Sequence, residues 1–399
     1  MPWTIAPARR LLPICIAIPV LAAAAYQSAR VAWADHLSRS GSLSDRRQAV
    51  YWLPTAATYE RLAEKREEQA EDPTPELQRA AALDPENGSR QMSLGLRAEM
   101  AGDLALAERS LLRAAALDRG YQPRYLLAQY YCRRLNEDGF WKWSGEALRT
   151  AYGDVMPLLD LWWRMRPDED WLARQGITQR ADIARQFVML LVLHDRPGAA
   201  RPLAAHLAEG AVYDDLGALL SYGNLCLSQG ARDGAVEVWN RLCERRLVPY
   251  RALDPAGGPL LTNADFARTP IGTGFDWHVE QAPWIRSVRF GGGMRLALSG
   301  RQPENCLLAW QYVPAASGMR YRLHFDAHVL DAGDADGMTW VLFDRSMKVV
   351  PTERTGERSL RFIAPAEVLK LALTYQRPAG SARLEGTVAI TGVSLEPEP

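Results

Sequence analysis

The sequence predicts a two-part chain, an all-α helical-hairpin repeat followed by an all-β jelly-roll sandwich. Three observations carry this. RAAALD occurs at Arg79–Asp84 and again at Arg113–Asp118, 34 residues on, the spacing of one helix–turn–helix unit. From Leu260 the pattern changes to period two, with turn residues every 8–12 positions, as half-buried strands require. Between the two lies Pro249–Pro259, rich in Pro and Gly, a composition that punctuates domains.

At 399 residues there is room for two or three domains, each with its own core. Lys+Arg and Asp+Glu both number 47, so no basic excess points to nucleic acid. Thirteen Trp suggest aromatic packing or aromatic ligand platforms. None of the five Cys forms a C-x-x-C pair, which argues against zinc and thioredoxin-like chemistry. Cys226 and Cys243 fall on the paired helices of one unit, and free buried thiols are expected there rather than a disulfide.

At the N-terminus, Arg9 and Arg10 precede an apolar run, Leu11–Ala25. Residues 1–34 are expected to be a membrane anchor or signal segment; the run is short for a span. Ala23-Ala24-Ala25 also fits a signal-peptidase site, and an uncleaved anchor is favoured. That places the chain at the inner membrane, with the bulk in the periplasm.

Residues 35–248 are read as the helical repeat. The best unit starts at Gly88. Leu94-Gly95 sit mid-way along its first helix, Gly102-Asp103 make the turn, and Ala107, Leu111 and Ala114 share a face of the second. Gly95 and Ala107 are small, so antiparallel helices can approach closely. This resembles the tetratricopeptide pattern, departing at Gln91 and Arg119. A degenerate first unit covers Ser44–Arg66. Tyr121–Arg134 and Gly145–Tyr152 form a third unit, with Asn136–Ser144 as an aromatic insert. Asp154–Gly176 reads as a tryptophan-rich linker helix, and Ala181–His194 and Ala199–Leu207 as a further pair. Tyr222-Gly223, Gly230, Ala235 and Trp239 return to the motif. About five hairpins are expected, with a protein partner in their groove.

Residues 249–259 are read as a linker and 260–399 as the sandwich. Leu307–Val313, Tyr321–Val329, Met338–Phe343, Leu360–Ile363, Leu369–Tyr375 and Gly386–Leu395 read as strands. LTNADF at Leu261–Phe266 and GFDW at Gly274–Trp277 resemble the opening of carbohydrate-binding modules with a galactose-binding-like jelly roll. LLAWQYVPAASGMRYRLHFDAHV is similar to that family's central hairpin, and TVAITGVSL to its closing strand. Ala264 stands where Gly is usual. A helical repeat followed by such a module also resembles the membrane-bound repeat proteins associated with bacterial exopolysaccharide assembly. The resemblance implies a polysaccharide ligand on the sandwich.

A sugar site needs bidentate hydrogen-bonding groups beside an aromatic plane. Alternation puts Arg322, His324 and Asp326 on one face of their strand, with Gln311 adjacent if the two strands pair. Trp340 or Trp284 would supply the plane; Trp277 reads as a core residue. A solvated sheet face explains the same pattern without a ligand. His324-x-Asp326-x-His328 is not a metal site, because residues i and i+4 on a strand stand ~13 Å apart. The acidic stretch Asp331–Gly337 lacks the EF-hand glutamate and reads as a turn. No nucleophile elbow, P-loop, dinucleotide fingerprint or H-E-x-x-H occurs. No catalytic residue, metal or cofactor is therefore assigned. The expected function is a non-enzymatic exported scaffold in polysaccharide synthesis or export. A purely protein–protein periplasmic assembly factor is the alternative, and a glycan-active hydrolase would need two facing carboxylates.

Overall fold

The computed structural model describes residues 7–168, 171–172, 180–329 and 337–398. The chain divides into two compact units, Met1–Leu161 and Trp162–Pro399.

The first unit is a stack of antiparallel helical hairpins. The helices are α1 (Pro7–Arg39), α2 (Leu43–Trp52), α3 (Ala56–Glu68), α4 (Thr74–Leu83), α5 (Gly88–Met100), α6 (Leu104–Leu117), α7 (Tyr121–Arg133) and α8 (Glu137–Thr150); α9 (Met156–Met165) contains the boundary at Leu161. Side chains of Asn87, Asp103 and Asn136 cap α5, α6 and α8 by accepting from the backbone N–H three residues on, which satisfies donors the helix leaves free. A Cβ on Gly95 would lie 2.7 Å from Leu111 Cγ, so the glycine is what lets α5 and α6 meet. Leu111 and Ala107 are fully buried there.

One expectation is corrected here. The aromatic insert is no insert. Asn136 is a helix cap, α8 begins at Glu137, and Phe140 is fully buried. Phe140 falls where Ala107 lies in the preceding unit, and the close glycine contact has exchanged helices: Tyr131 of α7 sits over Gly139 of α8, where a Cβ would lie 2.6 Å from its ring, which hides the repeat. No helix among the described residues is long and apolar enough to cross a membrane. Helix α1 runs on from the apolar stretch into the repeat, where Ala34 and Leu37 are buried and Asp35 pairs with Arg61 of α3 at 3.1 Å. With α1/α2 counted, six hairpins occur among the described residues, one more than expected.

The second unit contains α10 (Ala181–Leu193), α11 (Pro197–Glu209), α12 (Leu216–Gln229) and α13 (Arg232–Glu244), followed by the sandwich. Part of the expected linker helix Asp154–Gly176 lies outside the described residues. Cys226 and Cys243 are buried free thiols.

The strands are β1 (His278–Val279), β2 (Ile285–Phe290), β3 (Gly293–Ser299), β4 (Asn305–Pro314), β5 (Arg320–Val329), β6 (Met338–Phe343), β7 (Thr352–Gly356), β8 (Ser359–Ile363), β9 (Val368–Gln376) and β10 (Glu385–Glu398). They form a four-stranded sheet, β1-β4-β9-β6, and a six-stranded sheet, β2-β3-β10-β5-β8-β7. Every pairing is antiparallel. Strands β3 to β6 alternate between the sheets, which is jelly-roll wiring. Leu296, Leu323 and Ile390 from one sheet share a core with Val313, Leu342 and Leu371 from the other.

The six expected strands are present. Their pairing differs at two places: neither β4 and β5 nor β5 and β6 form a hairpin, because each pair divides between the two sheets. Pro314–Gly318 carries the chain from one sheet to the other, and β5 pairs with β10 and β8. Alternation fixes which side chains point inward, but two inward faces meet equally well within a sheet or across a sandwich. Four strands were not expected: β1, of only two residues, β3, and β2 and β7, nearly all of whose residues are exposed.

The Pro/Gly stretch before the sandwich is pinned. The Asn240 amide exchanges two hydrogen bonds with the Leu253 backbone, 2.7 and 2.8 Å. The Tyr250 hydroxyl donates to Asp276 Oδ2 at 2.7 Å. Asn224 holds Thr273 and Gly274, 2.8 and 2.9 Å. Arg232 donates to Ala315 O and Arg345 to Gln229 O, both 2.9 Å. Trp239 stacks on Tyr250 with ring centres 5.9 Å apart. A Cβ on Gly274, whose φ is +62°, would lie 2.5 Å from that indole. The last hairpin and the sandwich are thus one packed body.

Gly95→Ala is expected to lower stability by about 1–3 kcal/mol, because Leu111 is locked in the core and cannot yield. Gly145→Ala in α8, where a Cβ meets nothing within 4 Å, is expected to gain up to about 1 kcal/mol from helix propensity. Urea unfolding of both variants checks the contrast.

Candidate functional site

In the first unit, successive first helices of the hairpins line an open groove of about 800 Å³. Glu60, Glu64 and Glu67 stand on α3 at spacings that share one helix face. Leu96, Arg97 and Met100 come from α5, Leu77 from α4, and Arg133 and Arg134 from the end of α7. Met100 is 76% exposed, so the floor presents apolar surface to solvent. Arginine–glutamate rungs tie the walls: Arg90 to Glu60 at 2.8 Å, Arg97 to Glu67, and Arg133 to both oxygens of Glu99 at 2.8 and 2.6 Å. The last is a bidentate pair with Glu99 largely buried, the geometry in which such pairs hold position.

In the sandwich the expected glycan residues separate. Gln311 points inward from β4 and is fully buried. Its Oε1 accepts from Thr262 N at 3.2 Å and its Nε2 donates to Thr262 O at 3.5 Å. It fastens the segment entering the sandwich and offers a ligand nothing. Trp340 is 4% exposed, edge-on to the buried Trp277 with ring centres 5.9 Å apart. It belongs to the core, since β6 faces inward at that position. Trp284 is half-buried against the same core. Arg322 lies on β5 in the other sheet and pairs with Glu398 of β10. His324 is exposed. Asp326 accepts from Arg358 and from the Thr391 hydroxyl, each at 2.6 Å. His324 and Asp326 share a shallow hollow of about 440 Å³ with Asp265 and Arg358. The acidic stretch at 330–336 lies outside the described residues.

A second cleft, of about 450 Å³, went unread in the sequence. It lies between the 266–272 loop, β1 and the β2–β3 hairpin. Phe266, Trp277 and Met294 close its floor, and Arg268, His278, Gln281, Ser287 and Arg289 bring polar atoms to its walls. The loop is held by Asn263, whose side chain accepts from Arg268 N at 3.0 Å and donates to Arg268 O at 2.8 Å. Arg289 donates to Ala267 O. The faint sequence signal was the polar alternation of Ser287 and Arg289 on a strand without a buried face.

His278 also stacks on Trp310, ring centres 3.8 Å apart and 2° from parallel. Trp310 and Tyr312 point outward from β4, opposite Gln311, as alternation predicts. Lys370 Nζ stands 4.2 Å above the Trp310 ring, within cation–π range. Burial, with Lys370 adding repulsion, pushes the His278 imidazole down to about 4. His278 is therefore neutral at pH 7, and its Nε2 has no partner among the described residues.

No family model matches the chain, and no curated protein matches it. Solved structures do. One, described as the functional characterization of Pseudomonas aeruginosa PilF, is 16% identical with a TM-score of 0.29, over 55% of this chain and 94% of that one. Another is PilW, described as a widely conserved type IV pilus biogenesis factor. It is 15% identical with a TM-score of 0.25, over 48% of this chain and 94% of that one. Overlap this low carries no argument about what the chain binds.

A folded-state value below the unfolded 6.5 means that protonating His278 opposes folding. Its contribution is present above pH 6.5 and is lost as pH falls toward 4. Between pH 7 and pH 4.5 the wild type is expected to lose roughly 1–2 kcal/mol through this group, the partly exposed ring being screened by solvent. His278→Phe keeps the stack without titrating and is expected to lose that much less, measured as paired urea titrations.

Proposed function

We propose that this chain is a non-enzymatic scaffold. The repeat groove holds an extended segment of a protein partner, and the sandwich contacts a glycan in a polysaccharide synthesis or export assembly. The observation that carries the first half is the groove itself. Its apolar floor, Leu77, Leu96 and Met100, would be buried by an extended chain. Its charged rims would fix register, since rim charges select partners more than they add affinity. The rungs between hairpins hold the walls apart before binding, which limits the ordering cost.

The glycan half rests on the module resemblance and on the cleft beside the 266–272 loop, not on Gln311 or Trp340. For localisation, the exported side of the inner membrane remains our reading. Ile18, Val20 and Leu21, each more than 60% exposed on α1, follow Arg9 and Arg10 and would lie in a bilayer interface.

A photo-crosslinking residue at Ser93, in the groove, and one at Tyr152, outside it, test the partner site in producing cells. One defined protein adduct is expected at Ser93, absent at Tyr152 and lost when Met100→Asp is added. No adduct at Ser93, or one that Met100→Asp leaves unchanged, would contradict the groove as the docking surface.

A further inference from the structure

We propose that the cleft between the 266–272 loop, β1 and the β2–β3 hairpin reads a carboxylate on an acidic saccharide. This names the ligand class of the sandwich and rests on the glycan half of the function proposed above.

The charge of the cleft carries the inference. Two arginines, Arg268 and Arg289, stand on its walls, and no carboxylate is among its lining residues. Neither guanidinium has an ion pair among the described residues, although arginines across this chain are widely paired with Asp or Glu. Asp276, next in sequence to the cleft residue Trp277, does not compensate them. It is fully buried, and its Oδ2 accepts from the Tyr250 hydroxyl and the Ile271 N–H. Uncompensated positive charge between low-dielectric walls attracts an anion more strongly than the same charge on open surface.

The shape narrows the anion. Guanidinium forks match planar carboxylates in paired hydrogen bonds. Arg289 ties itself to the loop that carries Arg268 by donating to Ala267 O, and Asn263 fixes that loop on both sides of the Arg268 peptide. The two arginines are therefore presented by a braced frame. Ile271 and Val288 line the cleft, 41% and 52% exposed, and give the C–H face of a sugar ring apolar surface to cover. Gln281, exposed on the cleft wall, is the neutral group available to hydroxyls. A volume of about 450 Å³ lies in the range of small-ligand sites.

The test is binding of the full-length chain to polygalacturonate, to dextran sulfate and to neutral dextran at fixed ionic strength. The variants are Arg268→Gln, the double variant Arg268→Gln/Arg289→Gln, and Arg354→Gln on the exposed β7 as a control for general basic attraction. Saturable binding to polygalacturonate is expected. It should weaken roughly tenfold for each arginine removed, as one charge-assisted contact predicts, and be unchanged in Arg354→Gln. Arg268→Gln touches no ion pair, so it keeps the outcome separate from misfolding; an unaltered thermal transition verifies this. Binding to dextran that ignores both cleft arginines would overturn the acidic-ligand inference and leave the glycan reading standing. Equal binding to dextran sulfate and polygalacturonate, weakened as much by Arg354→Gln as by Arg268→Gln, would overturn it as unspecific attraction. No binding to any of the three would overturn the glycan reading and this inference with it.

Discussion

Large side chains seated on glycines set the geometry of both units. In the repeat, Leu111 occupies the space that a Cβ on Gly95 would fill. In the second unit, the Trp239 indole does the same over Gly274. Each contact brings two elements closer than any other residue allows, and other polar contacts follow from that approach. With α5 seated on α6, Arg97 and Arg133 meet glutamates on neighbouring helices. With Trp239 seated on Gly274, Asn224, Arg232 and Asn240 reach backbone groups around the sandwich.

This explains why the second unit is neither a repeat nor a sandwich alone. Its last hairpin supplies a wall against which the segment entering the jelly roll is fixed. The Pro/Gly composition of that segment encodes defined turns as readily as freedom, and the difference lies in the partners its backbone finds. Here it finds Asn240, Tyr250 and Asp276. The sandwich cleft is built on the continuation of the same chain, so the bracing that joins hairpin to sheet also steadies the loop carrying Arg268.

Much of the fold was legible because it depends on local spacing. The 34-residue offset, the Gly95/Ala107 pair and the alternation along Tyr321–Val329 each report a face or a period. What stayed hidden depends on partners. Phe140 concealed a helix because it stands where the preceding unit has alanine. Pro314–Gly318 reads as a hairpin turn, yet crosses between sheets, since strand partners are chosen by the shared core. Gln311 and Trp340 were placed on a ligand face for the same reason, and both lie in the core. Polarity on a strand marks Gln311 as a ligand group only if its face is open, and its face is the core. Arg268 and Arg289 were missed because they come from a loop and from a strand with no buried face to give it a period.

The central structural claim is that the last hairpin and the sandwich stand or fall together through Trp239 and Gly274. Hydrogen exchange on Gly274→Val tests it most directly, since that side chain must displace the indole. The account predicts that α12, α13 and strands β1 and β4 lose protection together, to a similar extent. Loss confined to the 266–277 segment, with the helices and strands as protected as in the wild type, would contradict it.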